Sequence, residues 1–99
     1  MIYVIATFTV RPEFKGILLA AAKACIEATR QEEGCLAYDL HESTSDPSKI
    51  VFVERWESAD HLAPHGKSEH MKALGRVAVK CLSSPAVIEI ITPAKVDRR

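Results

Sequence analysis

Excess charge, long apolar runs and paired cysteines are all missing from this 99-residue chain. Thirteen Lys plus Arg balance thirteen Asp plus Glu, so nothing draws the chain to nucleic acid or to an anionic membrane surface. The apolar stretches are short and broken, which argues against a membrane-spanning segment. Met1-Ile2-Tyr3-Val4 carries no basic region and no small-residue cleavage site, and so does not read as a secretory signal. Cysteine is scarce and odd in number. Cys25, Cys35 and Cys81 share no C-x-x-C spacing, which argues against a disulfide framework or a zinc knuckle. Reduced thiols in a cytoplasmic protein are the simple reading.

What is there is a hydrophobic fraction of 47%, ample for a folded core. The expectation is one domain over residues 1–99, ordered to about residue 93, with a tail over 94–99. A chain this short buries a modest core and is often helped by self-association.

Periodicity supplies the elements. Ile2 to Val10 alternates as a strand, and Arg11-Pro12 ends it because proline cannot donate to a ladder. Leu18, Ala21, Ala22, Cys25 and Thr29 recur at helical spacing, which predicts a helix from about Pro12 or Glu13 to Glu33, stopped by Gly34 in a left-handed conformation. Cys35–Glu42 and Lys49–Glu57 read as a hairpin around Asp46-Pro47, with Leu36, Tyr38 and Leu40 sharing one face. Ser58 is a candidate N-cap of a short helix that Pro64 and Gly66 interrupt, and Ser68 a cap for a second helix carrying His70, Met71, Leu74, Val77 and Ala78. Ala86–Thr92 is the last strand.

Strand, helix, strand, strand, helix, strand is the order of an α+β, ferredoxin-like βαββαβ domain with an antiparallel sheet. Two helices cover one face of such a sheet, yet both faces of the third and fourth strands are apolar. Val51, Val53, Val87 and Ile91, or their alternates, need a cover. A second copy of the chain is the simplest one, so a homodimer is expected.

The chemistry concentrates in Val53-Glu54-Arg55-Trp56-Glu57-Ser58 and the histidines that follow. Strand parity puts Phe52, Glu54 and Trp56 on one face. A carboxylate among aromatic rings is costly unless partnered, and His65 and His70 are the natural partners for proton transfer. The alternative is structural: Trp56, Phe52 and Tyr38 as core, with His65 tied through Glu54 to the sheet. His41 and His61 read as solvated. Spacing argues against a metal. His65 and His70 on one helix would stand roughly 140° apart, whereas zinc pairs favour spacings of three or four, and no third ligand is evident.

Taken in order, Glu33-Gly34-Cys35-Leu36-x-Tyr38, Glu54-x-Trp56-x-Ser58 and Leu62-x-x-His65-x-x-x-x-His70 resemble the antibiotic biosynthesis monooxygenase family over nearly the whole chain. The resemblance implies a dimeric α+β barrel built by packing two sheets face to face, with a ligand cavity between the sheet and helices of each subunit. It implies one of several activities. Some members oxygenate quinols or polycyclic phenols with O2 and no metal or flavin, some isomerise a small phosphorylated signal molecule, some degrade haem, and many have no known substrate. Fold alone does not choose among them.

The haem-degrading members use an asparagine on the first strand. Here that stretch is Ile5-Ala6-Thr7-Phe8, and the chain contains no asparagine. A phosphorylated ligand would call for cations at the cavity mouth; Arg55 and Lys67 are available, but Arg55 faces away from Trp56. The leading expectation is a monooxygenase that needs no cofactor and acts on a small aromatic substrate and O2. His65 or His70 would be the base, Glu54 would orient it, Trp56 and Phe52 would stack on the ring, and Tyr38 would bond a substrate oxygen. An isomerase is second, and a dimer that binds a small molecule without turnover is third.

Overall fold

Alternation along the first strand, β1 (Ile2–Thr9), sets the layering: Ile2, Val4, Ala6 and Phe8 are buried, and the residues between them are half-buried. The computed structural model describes residues Met1–Arg99. A 3-10 turn over Pro12–Phe14 leads into α1 (Lys15–Thr29), and β2 (Cys35–Glu42) and β3 (Lys49–Trp56) form the hairpin. Two helices follow, α2 (Ala59–Gly66) and α3 (Glu69–Cys81), before β4 (Val87–Ile91). The sheet order is β2-β3-β1-β4, antiparallel throughout. This is the expected α+β, ferredoxin-like arrangement, with the second helical segment split in two. No helix is long and apolar enough to cross a membrane.

The helices lie on one face of the sheet. Leu18, Ala22 and Cys25 of α1 and Leu74, Ala78 and Cys81 of α3 join Ile50, Phe52 and Trp56 of β3 in one buried core, with α1 packed against α3. Phe8, Phe52 and Tyr38 form a run of rings with centroids 5.4 Å apart at each step. Strand register puts Val51 and Val53 of β3 and Val87 and Ile91 of β4 beside Thr7, Ile5 and Tyr3 on the other face. There Val53, Val87 and Ile91 are exposed.

Five local expectations change. The helix α1 is shorter than its apolar pattern, beginning at Lys15 and ending at Thr29. Beyond it Gln31 and Glu32 donate to carbonyls three residues back, at Ala28 and Thr29, which tightens the path. Gly34 does take positive φ, 81°, but at the end of this turn rather than at the helix end. A Cβ there would overlap the His61 side chain, so the position suits glycine for two reasons. Leu36 does not share a face with Tyr38 and Leu40. A bulge between Cys35 and Ala37 turns Leu36 out to solvent and gives Cys35 the place opposite Trp56. Pro64 does not interrupt α2, which continues through it. The carbonyl a proline cannot meet is that of Asp60, an exposed residue. Finally, His65 and His70 sit on different helices, separated at Lys67-Ser68, which removes the premise of the one-helix spacing argument.

Candidate functional site

Two N-caps aim the imidazoles. Ser58 accepts from the His61 backbone N–H and starts α2; Ser68 accepts from the Met71 N–H and starts α3. The Ser68 hydroxyl also donates back to the His65 carbonyl at 2.7 Å, so the junction is pinned from both sides. The short break between the helices turns His65 and His70 toward each other, their ring centroids 6.0 Å apart.

Both imidazoles meet one atom. His65 Nδ1 lies 2.7 Å and His70 Nε2 2.9 Å from Oε2 of Glu32. An ionised carboxylate only accepts hydrogen bonds, so each of these nitrogens carries the proton. In the neutral His65 ring the lone pair is then on Nε2. That atom is buried and has no hydrogen-bond partner, although His65 is only 4% exposed and such orphans are uncommon. The ring stands 4.8 Å from Trp56 and 5.3 Å from Tyr38, centroid to centroid.

Glu54, the expected partner of the histidines, is engaged elsewhere. Its Oε1 accepts the Trp56 indole N–H at 2.9 Å, a contact that strand parity permits because residues two apart share a face. Burial pushes the Glu54 carboxyl above its ordinary range; the Trp56 N–H and nearby His65 pull it down, and Glu32 pushes it up. Burial likewise raises the Tyr38 phenol, with Glu54 adding to the effect. The Tyr38 hydroxyl donates at 3.8 Å to the Met71 sulfur, a weak acceptor that leaves this donor available.

Between the helix face of the sheet and α2 and α3 lies a cavity of about 480 Å³, within the usual range for small-molecule sites. Val4, Ala6 and Phe8 of β1 and Phe52 of β3 floor it, and Leu62, Met71 and Leu74 roof it. Ile88 and Ile90 complete the wall and are themselves 59% and 62% exposed, so the mouth lies along β4. Tyr38, Glu54 and His65 bring the polar side chains to the lining, and no Arg or Lys reaches it.

The structure therefore brings Phe52, Tyr38, Glu54 and His65 to one cavity and leaves Trp56 and His70 out of its lining. Trp56 is fully buried beneath His65, where it holds Glu54. His70 reaches the site through Glu32. His41 is exposed, as expected, but His61 is not simply solvated: its Nδ1 lies 2.8 Å from the Ser58 hydroxyl and its side chain packs under Gly34. Glu32 is the residue that pattern reading missed. In Gln31-Glu32-Glu33-Gly34 a continuing helix gives neither acid a partner, and only the tightened turn decides which one meets the imidazoles.

A family model described as antibiotic biosynthesis monooxygenase matches residues 1–76. Rv0793 of Mycobacterium tuberculosis is 36% identical over 90 residues, covering 91% of this chain and 88% of its own. Its solved structure superposes with a TM-score of 0.90 at 32% identity, covering 98% of each chain. A protein of Escherichia coli (strain K12) named "Probable quinol monooxygenase YgiN" is 31% identical over 83 residues, covering 74% of this chain and 80% of its own. A crystal structure described as an antibiotic biosynthesis monooxygenase gives a TM-score of 0.89 at 32% identity, covering 96% of this chain and all of its own.

Proposed function

The chain belongs to the antibiotic biosynthesis monooxygenase family, and on that premise we propose that it is a cofactor-independent monooxygenase acting with O2 on a small aromatic, quinol-type substrate. The observation that carries the reading is the unpartnered, buried Nε2 of His65, on a ring that lines an apolar cavity and is held from behind by Glu32. A base needs a lone pair, a fixed tautomer and a dry site, and these three features supply them.

A flat aromatic lies against Phe52 and Phe8, with one hydroxyl toward His65. Tyr38 donates to a ring oxygen. Nε2 takes the hydroxyl proton, and the Glu32 carboxylate steadies the resulting imidazolium. The substrate anion is electron-rich enough to reduce O2. A hydroquinone and O2 then give a hydroxyquinone and water: the ring supplies all four electrons, one oxygen atom stays on the ring, and the other leaves as water with two substrate hydrogens. Phe8, Phe52, Tyr38 and His65 touch the substrate in this reading; Glu32 and His70 position the base, and Trp56 keeps Glu54 in place.

The cavity wall speaks against a phosphorylated ligand, because no cationic side chain lines it and Arg55 is on the other sheet face, opposite Tyr3 and Ala37. The deciding experiment follows O2 consumption over a panel of hydroquinones and naphthols, aerobic against anaerobic. Turnover by wild type that falls about 10²–10⁴-fold in His65→Gln supports the reading. Ligands that bind without O2 uptake would sink it in favour of a non-catalytic binder.

The same premise supports a homodimer closed over the exposed Val53, Val87 and Ile91 face. An obligate contact of this kind buries on the order of 2,000 Å² or more. Sedimentation equilibrium at micromolar concentration reads it, and a monomer of 10.9 kDa is the opposing result. Three unpaired cysteines suit a reducing cytoplasm.

A further inference from the structure

The cluster that holds the base also has the composition of a metal site. Glu32 comes from the turn after α1, His65 from the end of α2 and His70 from the first turn of α3. Their three donor atoms all lie within 4.8 Å of one another. Two imidazoles and one carboxylate form a donor set that binds zinc. We propose that Glu32, His65 and His70 bind a zinc-like divalent cation at Glu32 Oε2, His65 Nδ1 and His70 Nε2, and that the bound ion switches the base off.

Fit favours the first part. Zinc sits about 2.0–2.2 Å from such donors, which spaces them roughly 3–3.5 Å apart. The present spacings of 2.7 and 2.9 Å open by a few tenths of an ångström, and the imidazoles draw together. The Glu32 and His70 side chains are 19% and 23% exposed, so they can move and water can reach them. Glu32 also borders a polar surface depression with Glu33 and Asp60, two acids that favour entry of a cation. This depression is separate from the apolar cavity, whose lining includes neither Glu32 nor His70. An ion here therefore touches the base and not the substrate, which makes it a switch rather than an oxygen-activating centre.

Tautomer chemistry gives the second part. An imidazole that binds a metal through one nitrogen and stays neutral carries its proton on the other. Metal on Nδ1 of His65 moves the ring proton to Nε2, and metal on Nε2 of His70 moves that ring's proton to Nδ1. No proton is gained or lost. The unpartnered lone pair at Nε2 becomes an N–H donor, and His65 no longer offers a base. This consequence for turnover rests on the assignment of His65 as the base; the binding itself does not.

The test titrates the metal-free full-length protein with ZnCl2 by calorimetry and with CoCl2 by visible absorption, and follows the His65 ring nitrogens by 15N NMR. One ion per chain is expected, with a tetrahedral cobalt spectrum, and with the Nε2 resonance moving from the lone-pair to the N–H range. His70→Ala and Glu32→Gln, shown folded by circular dichroism, should each weaken binding by about 100-fold or more. His70→Gln serves if the alanine variant does not fold. Absence of stoichiometric binding, or binding that these variants leave unchanged, overturns the site. Binding with His65 Nε2 still unprotonated overturns the switch. Zinc binding in a protein that shows no O2 uptake leaves the site standing and removes the oxygenase reading, so the two failures are told apart.

Discussion

Glu54 on the sheet floor and Glu32 in the turn after α1 are two carboxylates near the same imidazole, and they end in opposite circumstances. Glu54 is 5% exposed, raised above its ordinary range by burial, and occupied by a single neutral donor, the Trp56 indole. Glu32 is closer to water and gathers two imidazole N–H groups on one oxygen. A carboxylate's role follows from the donors around it. A neutral indole does not offset the cost of burying charge, whereas imidazoles that become cationic do. The sheet floor supplies shape and low dielectric; the turn supplies charge.

The comparison breaks most sharply at His65. His65→Gln should lower O2 turnover by about 10²–10⁴-fold, since it removes the one cavity-lining imidazole, whose Nε2 is buried without a partner. Glu32→Gln keeps the shape but loses the charge behind the ring, and should cost about tenfold or more in kcat with little change in KM. If Glu54→Gln matches Glu32→Gln in this assay, the division between floor and turn is wrong.

A smaller effect belongs to Trp56→Phe. The indole does not line the cavity, so the expected loss is in stability and not in substrate affinity. Removing its N–H leaves a buried Glu54 oxygen without its donor, which costs about 1–3 kcal/mol, read from urea unfolding. A raised KM with unchanged stability would return Trp56 to the binding site.

The smallest effect is a slope. Burial, opposed by Trp56 and His65 and reinforced by Glu32, raises the Glu54 carboxyl in the fold above its ordinary value of 4.5; Tyr38 stands opposite it in the β2–β3 register. The folded state thus prefers the protonated form. Stability from this group is full below its unfolded value and is lost as pH rises through the higher folded value. Glu54→Gln removes that loss while its amide oxygen still accepts from Trp56. The unfolding free energy of the variant, relative to wild type, should grow as pH climbs above 4.5 and then level off. A difference that is flat with pH would show that burial does not perturb Glu54.

Much of this was legible in the chain. Alternation with period two located the four strands and put Phe52, Glu54 and Trp56 on one face, because side chains on a strand have no other choice. Ser58 and Ser68 announced the helix starts through their need to meet free N–H groups. The apolar face beyond the helices was also readable, since Val51, Val53, Val87 and Ile91 exceed what two helices can cover. These are local rules, and local sequence suffices for them.

Tertiary structure alone decided the partners. The bulge at Leu36, the tight turn ahead of Gly34 and the break between α2 and α3 each shift side chains by a fraction of a turn, and their consequences are read only across space. They made Glu32 rather than Glu54 the partner of His65, joined His70 to the same oxygen, and withdrew Trp56 from the cavity. A hydrogen bond tolerates only a few tenths of an ångström, which is finer than any periodicity in the sequence can specify.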